Sequence, residues 1–216
     1  TKDFVEGASV HALAVSGGSV YAGGDFWQAG GRVRVSLAEL DAATGMATEW
    51  DPGPDGEVYA LAVDGGMVYA GGAFGRIGGA GRSRLAAVER SSGLATGWDP
   101  RPDGPVAAVA VRGDVVFAGG WFAGTGSVER RHLAALDPNG ELLPWDPGAD
   151  GPVQAIVESG GAVYLGGGFG EVGGKVRSRL AAVSATGGPV AAGNPGAGVE
   201  ARGGACTARR APAPPP

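Results

Sequence analysis

An all-β array of repeated antiparallel units is the fold class this sequence predicts, and three observations predict it. A stretch of 47 to 48 residues recurs in register, with its first valine at Val10, Val58, Val106 and Val153. Glycine fills 44 of the 216 positions, against a usual share of about 7%. These glycines fall at fixed offsets inside the repeat, so they mark turns. No segment carries a helical period, and turn signals arrive every ~8 to 12 residues, as expected of short strands.

The elements of each copy follow in order. The first strand alternates small and branched residues: Val10 to Val15, Val58 to Val63, Val106 to Val111 and Val153 to Val157. This composition suits a buried strand crowded near an axis. A tight turn follows at Ser16-Gly17-Gly18, Asp64-Gly65-Gly66, Arg112-Gly113-Asp114 and Ser159-Gly160-Gly161, which is hairpin chemistry because glycine tolerates positive φ. The second strand begins at Val20, Val68, Val116 and Val163 and runs into a glycine pair and a phenylalanine: Gly23-Gly24 with Phe26, Gly71-Gly72 with Phe74, Gly119-Gly120 with Phe122, Gly166-Gly167 with Phe169. Recurrence at one offset implies one job, with the glycines letting the backbone bend or approach a neighbour and the phenylalanine packing between adjacent sheets. The third strand centres on Leu37, Leu85, Leu133 and Leu180, and a short fourth ends at Trp50-Asp51-Pro52, Trp98-Asp99-Pro100 and Trp145-Asp146-Pro147.

A four-stranded meander cannot bury both faces alone. Radial stacking, with the Phe and Trp positions between units, solves this and leaves only short sheet edges. The period lies between the ~40 to 45 residues of WD40 blades and the ~50 of kelch blades. The chain therefore reads as a β-propeller array of four-stranded antiparallel blades, with blades at 10–57, 58–105, 106–152 and 153–198, a lead-in at 1–9 and an irregular tail at 199–216.

The repeat fails at both ends. The fourth copy has Gly193-Asn194-Pro195 where Trp-Asp-Pro is expected; Val199-Glu200-Ala201 matches the start of a fifth copy, and alternation then stops in favour of a proline-ended stretch that reads as disordered. Phe4 precedes Val10 much as Trp50 precedes Val58. A partial propeller, cut from a longer array, is the expectation, completed by additional blades or by a homodimer. The start at Thr1 rather than Met points to a processed or excised segment.

The net charge of −5, without a basic run longer than the pair Arg209-Arg210, argues against nucleic acid as a partner. No apolar run approaches the ~18 to 20 residues of a transmembrane helix. A single cysteine, Cys206, excludes an internal disulfide framework and a cysteine-rich metal site. Arginine outnumbers lysine 15 to 2, which reads as codon bias.

The combination of the glycine-pair loop Gly71 to Gly79, the segment Arg82 to Ala86, and Gly97-Trp98-Asp99-Pro100, repeated as Gly23 to Gly31 in the first copy, resembles the delta-60 repeat family, also catalogued as a β-propeller repeat of unknown function. The resemblance spans about residues 10 to 195, departs at Gly124 to Ser127, and loses the tryptophan in the fourth copy. It implies a propeller module of bacterial secreted or cell-surface proteins, often beside adhesion-like domains, and transfers no catalytic residues.

The residues themselves give little chemistry. Arg34, Arg82, Arg130 and Arg177 recur three positions before the third-strand leucine, and Asp51, Asp99 and Asp146 follow the tryptophans; charges repeated in every blade read as blade-to-blade fasteners. The aspartate pairs Asp51/Asp55, Asp99/Asp103 and Asp146/Asp150 lack the middle donor of a calcium loop and sit among standard turn formers. His11 and His132 lack matching partners, and no nucleophile elbow or phosphate loop is present. No catalytic residue, metal site or cofactor is predicted.

Specificity in a repeat protein is expected where copies differ. Trp27 and Trp121 are the two tryptophans outside the Trp-Asp-Pro frame, and aromatic faces at loops are common platforms for sugars or peptides. They are the predicted ligand-binding residues, for a protein or glycan. The leading reading is a non-enzymatic binding or scaffold module of an extracellular or cell-surface protein. The alternative is a glycan-acting hydrolase or lyase with its site over the propeller channel.

Overall fold

The computed structural model describes residues 8–187. The Val199 match, the tail at 199–216, the end of the fourth blade and Phe4 lie outside them. The first repeat forms β1 (Ser9–Ser16), β2 (Ser19–Asp25), a two-residue pair β3 (Gln28–Ala29) and β4 (Arg32–Val33), and β5 (Leu37–Asp41). The second gives β6 (Val58–Asp64), β7 (Met67–Gly72), β8 (Arg76–Ile77), β9 (Ala80–Gly81) and β10 (Leu85–Glu89). The third gives β11 (Val106–Arg112), β12 (Val115–Gly120), β13 (Gly124–Thr125), β14 (Val128–Glu129) and β15 (Leu133–Leu136). The fourth gives β16 (Val153–Ser159), β17 (Ala162–Gly167), β18 (Glu171–Val172), β19 (Lys175–Val176) and β20 (Leu180–Ser184).

Each repeat is an antiparallel sheet of three long strands, in the orders β1-β2-β5, β6-β7-β10, β11-β12-β15 and β16-β17-β20. The first strands β1, β6, β11 and β16 pack against one another in sequence. The small hairpins between the second and third strands form in all four repeats, including the third, where Gly124 to Ser127 departs from the pattern. Nothing in the alternation signal announced these pairs of two residues.

The expected fourth strand is shorter than the sequence implied. In the first three repeats it is a single bridging residue, Ala47 on Leu40, Ala95 on Val88 and Leu142 on Leu136. The next amide in each, from Thr48, Thr96 and Leu143, donates back to the third strand. The carbonyls of these same residues turn outward and accept from the guanidinium groups of Arg34, Arg82 and Arg130. A side chain therefore occupies the edge where a longer strand would propagate, which also blunts that edge against further pairing.

Three of the four described cores lie between repeats; the fourth, Phe26 with Ala29 and Ala38, lies within the first repeat, where no preceding blade is described. One cluster joins Tyr21, Leu37 and Trp50 to Val58, Val68, Phe74 and Val88 of the next repeat. A second joins Leu85 and Trp98 to Val106, Val116 and Phe122. A third joins Phe117, Leu133 and Trp145 to Val153, Val163 and Phe169. Phe74, Phe122 and Phe169 thus take the interblade place expected of them.

The two glycines of each pair have different tasks. A Cβ on the first would strike the opening valine of the next repeat: Val58 Cγ1 at 2.6 Å from Gly23, Val106 Cγ1 at 2.7 Å from Gly71, Val153 Cγ1 at 2.8 Å from Gly119. A Cβ on the second would strike the backbone carbonyl just before the opening valine of its own sheet: Ser9 O at 2.0 Å from Gly24, Glu57 O at 2.0 Å from Gly72, Pro105 O at 2.1 Å from Gly120. The second contact arises because the first strand carries a β-bulge there, with His11, Tyr59, Ala107 and Gln154 as the extra residues.

The first repeat has no described blade before it. Val58, Val106 and Val153 are buried, whereas their equivalent Val10 is exposed, and beside it Leu13 is 65% and Val15 70% exposed. At the other end Tyr164 is exposed, while its equivalents Tyr21 and Phe117 are buried.

Candidate functional site

The residues that recur from blade to blade are engaged in holding the fold. Trp50, Trp98 and Trp145 each donate from Nε1 to a third-strand carbonyl of the following repeat: Glu89 O at 2.9 Å, Asp137 O at 2.9 Å and Ser184 O at 2.8 Å. Each also meets a second-strand ring of its own repeat edge-on: Tyr21 at 5.3 Å, Tyr69 at 5.5 Å and Phe117 at 5.1 Å. The tryptophan is the blade-to-blade fastener.

Arg34, Arg82 and Arg130 are not, and this corrects the expectation from sequence. Arg34 donates to Trp50 O at 3.1 Å and approaches Asp51 Oδ2 at 3.4 Å; Arg130 approaches Asp146 Oδ2 at 3.5 Å. Both partners belong to the arginine's own repeat, so the guanidinium clamps the small hairpin to the outgoing Trp-Asp segment. Spacing alone cannot distinguish the two, because a side chain of this length reaches either way.

The second aspartate of each turn has a structural partner too. Asp55 Oδ1 accepts from Gly75 N at 2.7 Å and Arg76 N at 2.8 Å; Asp103 Oδ1 accepts from Ala123 N at 2.8 Å; Asp150 Oδ1 accepts from Gly170 N at 2.7 Å and Glu171 N at 2.8 Å. These carboxylates orient the loop after the phenylalanine. Among the described residues no group of three or more His, Cys, Asp or Glu side chains is placed to hold a metal ion.

His132 occupies a backbone position, not a chemical one. It has φ 64°, matching Ser36, Arg84 and Arg179 immediately before the third-strand leucine, and its Nδ1 lies 3.1 Å from Gly120 O. His11 sits at the bulge of β1, with its ring edge-on to Tyr59 at 5.6 Å. Its Nε2 is 3.3 Å from Ser9 Oγ and 3.8 Å from Glu57 Oε2. Both contacts reach the same ring nitrogen, so the imidazole cannot stand between acid and hydroxyl as a proton relay requires. The bulge register, His11, Tyr59, Ala107 and Gln154, differs in every copy, and the recurring V-x-A pattern hid it behind its variable middle residue.

Trp27 and Trp121 are exposed, by 58% and 46%. They are not covers for their phenylalanine neighbours, since Phe74 and Phe169 are equally buried with Ala73, Gly75, Gly168 and Gly170 beside them. The two indoles belong to the first and third blades, with the second blade between, so each is a separate face.

A further variable set lies at the joints. In the first, Tyr21 Oη donates to Glu39 Oε1 at 2.7 Å, Thr48 Oγ1 donates to Glu39 Oε2 at 2.7 Å, and Arg90 Nε donates to Tyr21 Oη at 3.0 Å. Burial works to raise the pKa of Glu39, but hydrogen bonds from Ser19, Thr48 and Tyr21 and the charge of Arg90 outweigh it, and the carboxyl is held below its ordinary value.

The fold is that of a β-propeller. The chain superposes on BamB from Moraxella catarrhalis with a TM-score of 0.53 at 18% identity, covering 84% of this chain and 48% of that one. It superposes on the β-propeller domain of Cps50 (Swd1) from Myceliophteria thermophila with a TM-score of 0.52 at 13% identity, covering 85% and 54%. With the computationally designed Ika4 protein the TM-score is 0.52 at 20% identity, covering 75% and 87%. The chain thus spans about half the length of the two natural structures. No protein-family model and no curated protein sequence matches it. No helix among the described residues is long and apolar enough to cross a membrane.

Proposed function

We propose that the chain is a non-enzymatic propeller module of the delta-60 type that binds a protein or glycan through its loops, in a secreted or cell-surface bacterial protein. One observation carries the reading: the repeated Trp, Arg, Asp and Gly residues are engaged internally, while the non-repeated Trp27 and Trp121 stand exposed at the loops. A glycan array and a peptide array, run beside a broad glycosidase screen, test it. Binding that falls at least about tenfold in Trp27→Ala or Trp121→Ala with unchanged circular dichroism is expected; turnover in the screen would replace this reading with the enzymatic one.

The exposed first strand favours a second reading, of assembly. Val10 presents what every internal joint buries in Val58, Val106 and Val153, with Leu13 and Val15 exposed beside it, and Tyr164 presents the matching ring. A second copy, docked head to tail, would continue the joint already repeated within the chain. Light scattering is expected to give a multiple of 21.2 kDa, with Leu13→Glu and Tyr164→Glu each monomeric alone and associating when mixed. A monomer at ~100 μM, where a contact of 1 μM affinity would be largely formed, would sink the idea.

A further inference from the structure

The three joints between neighbouring repeats use equivalent positions but are not filled alike. In the first, Arg90 occupies the crevice beside Tyr21 and Trp50. Its guanidinium carbon lies 5.7 Å from the Tyr21 ring centroid, and its nitrogens donate to Tyr21 Oη at 3.0 Å, Gly65 O at 3.1 Å and Ser16 O at 3.4 Å. In the second joint Pro138 stands where the first has Arg90, and Ala87 where it has Glu39. What remains is an open cavity of about 490 Å³, whose walls include Met67, Tyr69, Thr96, Trp98, Pro138 and Asn139.

We propose that this cavity is a binding site for an arginine side chain of a partner protein, the guanidinium taking the place beside Tyr69 that Arg90 takes beside Tyr21. The aromatic seat is retained, with Tyr69 and Trp98 edge-on at 5.5 Å, and such rings attract a cation that lies over them. The turn residues that supply carbonyls to Arg90, Ser16 and Gly65, correspond to Asp64 and Gly113. Asp114 corresponds to Gly66. Two carboxylates therefore stand in the turns where the first joint has a serine and a glycine; they lie outside the residues that line the cavity, and burial followed by their field pushes the Tyr69 pKa up.

The third joint is not a second such site. Phe117 there has no hydroxyl, and the neighbouring turn carries the Arg112–Glu158 ion pair, with N to O at 3.1 Å. A planar, multiply donating guanidinium fits the first-joint pattern, which a lysine ammonium does not reproduce. The site involves neither Trp27 nor Trp121, and it stands or falls apart from them.

The test is a nuclear magnetic resonance titration of the full chain with acetyl-Gly-Arg-Gly-amide and with the same peptide carrying citrulline, which keeps the shape and removes the charge. Shifts at the Trp98 indole and the Asn139 amide are expected, with a dissociation constant of about 1 mM or tighter and at least about tenfold weaker binding of the citrulline peptide. Tyr69→Phe, which places at this joint the ring that position 117 already carries, is expected to weaken binding several-fold and leave the fold intact. Pro138→Arg is expected to fill the cavity from within and abolish binding without lowering the melting temperature. Equal binding of the two peptides, undiminished binding by Tyr69→Phe or Pro138→Arg, or no shift at about 10 mM peptide would overturn the proposal.

Discussion

Gly72→Ala is expected to destabilise the chain by more than about 3 kcal/mol, enough to remove the cooperative transition in urea at ambient temperature. The added Cβ would lie 2.0 Å from Glu57 O and 3.1 Å from both Glu57 C and the Phe74 ring. A carbonyl held by the bulge of β6 cannot rotate away as a side chain tip can, so either the bulge or the β6–β7 pairing must open. The cost is steric, because Gly72 is not among the residues with positive φ. Gly66→Ala is the control in the same repeat: nothing lies within 4 Å of its Cβ position, and the change should be neutral or stabilising by up to about 1 kcal/mol. Comparable midpoints for the two variants would refute the assignment of Gly72 to the bulge.

Trp98→Ala is expected to cost about 3 to 5 kcal/mol and to change the form of the unfolding curve, not only its midpoint. The indole is buried, meets Tyr69, and donates to Asp137 O at 2.9 Å across the middle joint. In a repeat array stability is a sum of unit and neighbour-interface contributions. Weakening the central interface should therefore separate the first two repeats from the last two and give two resolved transitions. Trp98→Phe keeps most of the packing and removes the donor, so a loss of about 1 to 3 kcal/mol within one transition is expected. A single sharp transition for Trp98→Ala would mean that other contacts carry the joint.

The Gly72 and Trp98 predictions show how unevenly the sequence disclosed its own devices. The glycine pair was visible as a recurring pair, yet its division of labour was not. Gly71 faces Val106 of the next blade, and Gly72 faces Glu57, just before the opening valine of its own sheet. The recurring tryptophan was visible as a core position, but its Nε1 partner lies 39 residues on, and no local pattern encodes that pairing. Arg34 and Asp51 were visible as repeated charges, and only the coordinates show that they close within one repeat. The exposed Trp27 and Trp121 were found because they break the pattern; the crevice at the middle joint was missed because Pro138 and Ala87 are unremarkable residues whose meaning lies in what they leave unfilled.

The sequence by itself determined the all-β class, the register of the repeat, the three long strands of each copy and the places of the turns. Each of these follows from periodicity, side-chain alternation and the positive φ that glycine permits, all of which act over a few residues. The tertiary structure decided which side chains fasten blade to blade, why the fourth strand stops at one bridge, and where crevices open. Those outcomes depend on atoms from different repeats meeting at contact distance, and two differences across a joint, Arg90 and Glu39 against Pro138 and Ala87, separate a filled joint from an open one.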